Sequence, residues 1–489
     1  MSINSMIFLT AFLPVIFVLD RLCVRSIKLK NVLLLLASLI FYAWGEPVYI
    51  LLLLVSIVLN YGFGLVLSRL AGTDADDGNS AGEKSGNSQK GSAAAKLCLA
   101  AGILANLGLL GYYKYFDFFL RILNRLSGQA LFEMQNIPLP IGISFFTFGA
   151  VAYLIDLYRC HYKAEKNILD MALYMSFFPK ISVGPIARYR DFGRQLKERT
   201  ENVEKTAEGI RRFAYGLGKK VLVANILGSC VDKIYGQDIN TLTGALVWCA
   251  ALLYTLQIYY DFSGFSDMAI GLGKMFGFEI CENFNYPYLS GSIQEFWRRW
   301  HISLSSWFRD YLYIPLGGNR KGKVRTYVNL GIVFLATGLW HGATTAFIAW
   351  GLLHGFFIIL ERIGFKKVLE KTKVFKYIYT ELIVVFGWVI FRVANLGPAF
   401  QYMKRMVMPW KYTDGAFAIR ELVSNRCIVM AVLGVLGMGL IQAAVKKFWP
   451  GAEKLKSSVW EMLYCMFLIA ASMLFLVNGT YNPAIYLNF

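Results

Sequence analysis

From Val48 to Ser68 the chain runs 21 residues without a charged side chain. A helix needs about 20 consecutive apolar residues to cross a bilayer core. Runs of this kind recur in both halves of the chain, which is 56% hydrophobic and only 17% charged over 489 residues. A soluble globular fold has no core large enough to hide them. The chain therefore reads as an all-α polytopic membrane protein with roughly 10–13 membrane helices. The expected segments are 6–20, 31–43, 48–70, 96–113, 221–236, 241–260, 327–365, 376–395, 426–446 and 458–477.

The formal net charge is +19. In a soluble protein that excess would point to nucleic acid. In a membrane protein Lys and Arg collect in cytoplasmic loops, and the basic stretches Arg21–Lys30 and Arg320–Arg325 fit that pattern. The expected partner is the lipid bilayer, with no nucleic acid, and the N-terminus is placed outside the cell. Met1–Leu19 has no basic n-region and no small-residue cleavage site, so it reads as a retained first span. The eight cysteines, at 23, 98, 160, 230, 249, 281, 427 and 465, form no CxxC pair. No metal site is implied, and the thiols read as membrane-buried. Cys23, beside basic residues at a membrane edge, is a candidate for lipidation.

Residues 72–95 are rich in Gly, Ser and Asn and read as a flexible polar loop. Two apolar stretches, Ile137–Ser144 and Phe178–Pro185, carry prolines and a glycine that disfavour a regular helix. Irregular backbone at membrane depth must be buried in protein or line a cavity, so both read as re-entrant segments. Residues 196–220 read as an amphipathic surface helix. No soluble domain of useful size appears, and the chain is taken as one membrane-embedded domain, 1–489.

Three constellations carry chemistry. The first runs from Glu295 to Tyr311, with Phe296, Trp300, Leu304, Trp307 and Tyr311 at helical spacing. Arg298, Arg299 and Arg309 fall elsewhere on that wheel. Two readings stand: an interfacial helix with snorkelling arginines, or a cationic wall for the phosphates of an anionic substrate. On the second reading Trp300, Arg298, Arg309 and Asp310 are candidate substrate contacts. The second constellation is Tyr259–Met268, where Asp261 and Asp267 are six residues apart. That is about 240° around a helix, so they do not share a face. They read as caps, or as partners for nearby arginines, more readily than as an acid/base pair.

The third is Thr337-Gly-Leu-Trp340-His341-Gly342. The chain has four histidines, at 161, 301, 341 and 354, and an ionisable residue inside a membrane segment raises a functional question by default. On one continuous helix His341 and His354 would lie about 20 Å apart, too far to touch one reacting atom. Gly338 and Gly342 flank His341 and leave room for a substrate beside it, with Trp340 as a further contact. Low dielectric disfavours imidazolium, and a neutral imidazole can accept a hydroxyl proton. A purely structural role for His341 remains open at this level. No GxSxG elbow, Walker loop or HExxH is present.

Several long motifs then occur in order. Phe177-Phe178-Pro179 with Gly184-Pro185-Ile186 comes first, followed by Tyr260-Asp261-Phe262-Ser263-Gly264-Phe265-Ser266-Asp267. Trp300-His301 is followed by Trp307-Phe308-Arg309-Asp310-Tyr311 and the run to Arg320, and Leu339-Trp340-His341-Gly342-Ala343 closes the set. Together they resemble the membrane-bound O-acyltransferase family, in its branch that O-acetylates alginate and related bacterial polysaccharides, with a core over 140–360. The resemblance implies a helical fold around a central tunnel. It implies acyl transfer from a cytoplasmic thioester, acetyl-CoA or an acyl carrier, with no bound cofactor. It implies His341 as general base and His301 as the residue that orients or polarises the thioester. It also implies a separate extracytoplasmic esterase-like protein as partner, within a polysaccharide biosynthesis complex. D-alanyl transfer to teichoic acid and a transporter with a proton-relay histidine are the alternatives.

Overall fold

The computed structural model describes residues 1–22, 26–71, 92–448, 459–479 and 481–483. All regular structure among them is helical. Among the described residues, seven helices are long and apolar enough to cross a membrane: Ile27–Gly45, Ile50–Leu70, Ala93–Ser127, Gly244–Met275, Thr345–Glu370, Asn425–Phe448 and Val459–Asn478. Cys23 and residues 72–91 of the polar loop lie outside the described residues. That loop is also shorter than expected at its far end. Ser92 caps a helix that begins at Ala93, its hydroxyl accepting the Ala95 N–H at 3.1 Å.

Contacts divide the chain into two compact units. The first holds Met1–Val203 and Phe276–Ile280. Its helices are α1 (Leu13–Leu22), α2 (Ile27–Gly45), α3 (Ile50–Leu70), α4 (Ala93–Leu110), α5 (Phe116–Ser127), α6 (Ile143–Tyr158) and α7 (Ile168–Ser176). Lipid tails are as apolar as leucine, so polar contacts and close packing join membrane helices. Asn60 of α3 and Asn106 of α4 exchange amide hydrogen bonds of 2.8 and 3.0 Å. The two irregular stretches meet each other. Gly142 has φ 77°, and a Cβ there would overlap the carbonyl oxygen of Ile181. Phe178–Ile181 makes a single helical turn, with the Phe178 ring packed on Phe8 and Phe41. Phe178–Pro185 is thus almost wholly buried in protein, as irregular backbone at membrane depth must be, whereas the first stretch is buried from Gly142 to Ser144 and exposes Pro138.

The second unit holds Glu204–Met275 and Cys281–Phe489. Its helices continue the numbering: α8 (Val203–Gly218), α9 (Asn225–Tyr235), α10 (Gly244–Met275), α11 (Ile293–Arg299), α12 (Ile302–Phe308), α13 (Lys323–His341), α14 (Thr345–Leu360), α15 (Phe375–Val393), α16 (Leu396–Val407), α17 (Asn425–Val435) and α18 (Val459–Asn478). The amphipathic stretch begins at Val203, seven residues later than expected. Its small residues press onto α10, where a Cβ on Gly216 would come within 2.6 Å of the Gly264 carbonyl.

Helix α10 runs 32 residues, well past the expected end at 260. Asp261 and Asp267 therefore sit inside a helix and cap nothing. They pair with cations, though arginine supplies only part of the set. Asp267 takes Arg212 at 2.7 Å and Lys219 at 2.6 Å. Asp261 takes Lys220, with both side chains 1% exposed. Lys220 also donates to the Pro483 carbonyl, Tyr481 donates to Asp232 at 2.5 Å, and Asn225 donates to Asn482 at 3.1 Å. The thiols are not uniformly buried: Cys230, Cys427 and Cys465 are, while Cys160 and Cys281 are exposed.

Candidate functional site

The single helix expected over 295–311 does not form. It breaks at His301, where φ is 45° and ψ is 55°. Left-handed backbone at a residue other than glycine costs on the order of 1–3 kcal/mol and persists where the surroundings enforce it. Asn283, in the loop after α10, supplies the enforcement. Its carbonyl accepts the Ile302 N–H at 3.0 Å, and its side-chain Oδ1 accepts the Ser303 N–H at 3.2 Å. The first N–H groups of α12 thus bond to residue 283 and not to the preceding turn. At the other end, α11 is capped by Ser292 and by Glu361, whose carboxylate accepts the N–H groups of Ile293 and Gln294 at 2.6 and 3.0 Å.

His301 is fully buried between the Phe262 ring, 4.6 Å away edge-on, and the Trp340 ring, 5.7 Å away. Helices α11 and α12, seven residues each, are too short to span a bilayer. Its Nδ1 lies 3.1 Å from Asn283 Oδ1, while Nε2 has no hydrogen-bond partner among the described residues. Burial pushes the His301 imidazole down to about 3, so the ring is neutral at ordinary pH.

His341 is the last residue of α13, and Gly342 opens the backbone into an extended turn. Helix α14 starts after Thr344, whose hydroxyl accepts the Phe347 N–H. The region expected as one membrane stretch is an antiparallel hairpin. The His341 ring meets Trp340 at 4.9 Å, Trp350 at 4.9 Å and Phe391 at 5.2 Å. Trp340 therefore touches both histidines. The flanking glycines do not make room for a substrate. A Cβ on Gly338 would overlap the Phe347 carbonyl, and one on Gly342 would overlap the Phe347 ring. They let the two helices close.

The hairpin also removes the premise that separated His354 from His341. The two lie on different helices with Trp350 between them, 4.9 Å from one and 5.1 Å from the other. His354 is buried against Trp297 and Gly387, and neither ring nitrogen finds a hydrogen-bond partner among the described residues.

Arg298 and Arg309 line a cavity of about 410 Å³, together with Arg362, Gln294, Asn319 and Trp297. Asp310 holds the Arg309 guanidinium in a two-point contact at 2.6 and 3.2 Å. Trp300, expected at the substrate, lies in the core. It is 1% exposed, stacked on Phe296 and 4.8 Å from Trp388. Two indoles connect the cavity wall to His341: Trp297 meets Trp350 at 5.5 Å, and Trp350 meets His341. Sequence reading missed Asn283, Ser303, Glu361, Arg362 and Trp297. Trp297 and Ser303 lay inside the motif that had been singled out, without a role assigned to either. The others come from contacts across turns or between distant segments, which no local pattern announces.

The family model described as MBOAT, membrane-bound O-acyltransferase family, matches residues 159–396. That stretch holds both His301 and His341. A Pseudomonas aeruginosa protein named "Probable alginate O-acetylase AlgI" is 42% identical, over 86% of this chain and 77% of its own length. A "Peptidoglycan O-acetyltransferase" of Helicobacter pylori is 36% identical over 83% of this chain and 79% of its own length. A "Teichoic acid D-alanyltransferase" of Bacillus subtilis is 31% identical, over 44% of this chain and 56% of its own length.

Proposed function

We propose a function on the premise that this chain belongs to the membrane-bound O-acyltransferase family. It is an acyltransferase and a multi-pass membrane protein, which sets the transporter reading aside. On our reading it takes an acetyl group from a thioester donor at the cytoplasmic face of the cell membrane and passes it outward for O-acetylation of a cell-surface or exported polysaccharide. The observation that carries this is the pair of buried histidines that both pack on Trp340.

In that reading His341 takes the proton from an acceptor hydroxyl as the oxygen attacks the thioester carbonyl. The C–O bond forms, the C–S bond breaks, and the proton leaves with the thiolate. Arg298, Arg309 and Arg362 suit the phosphates that acetyl-CoA or a phosphopantetheine carrier would bring, because guanidinium groups bind phosphate by paired hydrogen bonds. A separate extracytoplasmic esterase-like protein, working within the polysaccharide biosynthesis complex, completes the transfer to polymer.

The test uses the purified full chain in liposomes, offered acetyl-CoA or a D-alanyl carrier protein. Thiol release from acetyl-CoA supports the reading, and release from the charged carrier alone supports D-alanyl transfer instead. With acetyl-CoA, Arg298→Gln is expected to raise the donor KM about tenfold with little change in kcat, the effect of losing one charge-assisted hydrogen bond. An unchanged KM in both Arg298→Gln and Arg309→Gln would remove the donor phosphates from this cavity.

A further inference from the structure

The orientation of Asn283 can be fixed from its partners. The Ser303 backbone N–H can only donate, and it points at the Asn283 atom assigned as Oδ1, 3.2 Å away. That atom is therefore oxygen and an acceptor. The opposite atom, Nδ2, donates to Ser266 Oγ at 3.1 Å. Ser303 Oγ lies 2.9 Å from Oδ1 and 3.5 Å from His301 Nδ1; a hydroxyl donates at the shorter of these distances, so its hydrogen goes to Oδ1 and not to the imidazole. An imidazole nitrogen 3.1 Å from the same oxygen can complete a hydrogen bond only by donating. In the neutral ring this places the hydrogen on Nδ1 and leaves the lone pair on Nε2.

We propose that Asn283 is a positioning residue that holds His301 as the Nδ1–H tautomer, so that Nε2 meets its reactant as a hydrogen-bond acceptor. This rests on the acyl-transfer reading above and reverses one role within it. A neutral imidazole with a bare Nε2 has no hydrogen to give a thioester carbonyl. It can receive one from a hydroxyl. His301 then steadies the proton-bearing acceptor group, and the carbonyl is polarised by other donors.

Arg212 keeps Asn283 in register. It forks onto Glu282 at 2.9 and 2.6 Å and bonds Asp267 of α10 at 2.7 Å. This ties the residue before Asn283 to the helix that carries Ser266 and Phe262. The elements packed on the imidazole present Phe262, Asn283, Ser303 and Trp340. The titratable groups beside these in sequence are Asp261 and Asp267, held by Lys220 and by Arg212 with Lys219, then Glu282, held by Arg212, and His341.

The full chain with ¹⁵N-labelled histidine, in nanodiscs and without substrate, reads the tautomer directly. The chain has four histidines, and the His301 signals are those lost in His301→Gln. The expected spectrum has Nδ1 protonated and Nε2 bare. A protonated Nε2 in the unmodified protein overturns the proposal, whatever reaction the protein performs. Asn283→Asp keeps an acceptor at Nδ1 and adds a charge that favours imidazolium. It is expected to retain the tautomer and to move the acid limb of the transfer rate to higher pH. An unmoved acid limb there also overturns it. Asn283→Leu is expected to lower kcat roughly tenfold or more with donor KM nearly unchanged. Equal losses in KM and kcat would mark a general structural role.

Discussion

Replacing His341 by Gln is expected to lower the acyl-transfer rate about 10²- to 10⁴-fold, the usual contribution of a positioned general base. The ring sits at a helix end between three aromatic side chains. Gln is near enough in size to fill that space without a large void. Protein abundance in the membrane should therefore stay near normal while turnover falls. The measurement is thiol release per mole of protein at matched abundance, with acetyl-CoA as donor. Turnover at the unmodified rate would remove His341 as the base. His354 makes a useful contrast, because it is packed against Trp297, Trp350 and Gly387. His354→Leu is expected to act on stability first.

The second large effect concerns Lys220 and Asp261. Both side chains are 1% exposed, and they pair with each other inside the second unit. Removing one partner of a buried ion pair strands a charge and costs about 3–5 kcal/mol. Lys220→Met should destabilise the protein by that order, and should also free the Pro483 carbonyl that Lys220 holds. Lys220→Met combined with Asp261→Leu should recover most of the loss, because apolar replacement of both members of such a pair is often nearly neutral. Thermal unfolding of the single and double variants in one detergent gives the coupling. If the two losses simply add, the pair carries no mutual stabilisation and the expectation is wrong.

The lengths of apolar runs carried the fold class, because bilayer thickness is a hard constraint that one sequence can display. The ends of elements were less visible. Helix α10 continues to Met275 through Asp261 and Asp267, since Lys220, Arg212 and Lys219 neutralise charges that otherwise look like a membrane edge. The hairpin at Gly342 was hidden because its two glycine-rich faces pack on each other, which a sequence cannot show. The packing of His301 and His341 on one tryptophan could be anticipated only as two separate motifs. Asn283 was out of reach, because its role depends on an 18-residue return of the chain to His301. Trp300 misled for a related reason: helical spacing gives it a face, but the left-handed break at His301 turns that face into the aromatic core.

The α13–α14 crossing is made by main chain against main chain. Gly338 lies against the Phe347 carbonyl and Gly351 against that of Phe334. Such a joint has no side chain that can yield, so the two helices have little freedom to slide or spread. What lies against His341 is then a fixed set of rings, those of Trp340, Trp350 and Phe391. An enzyme built this way would change its acyl-chain length by trimming a ring, and not by loosening its frame.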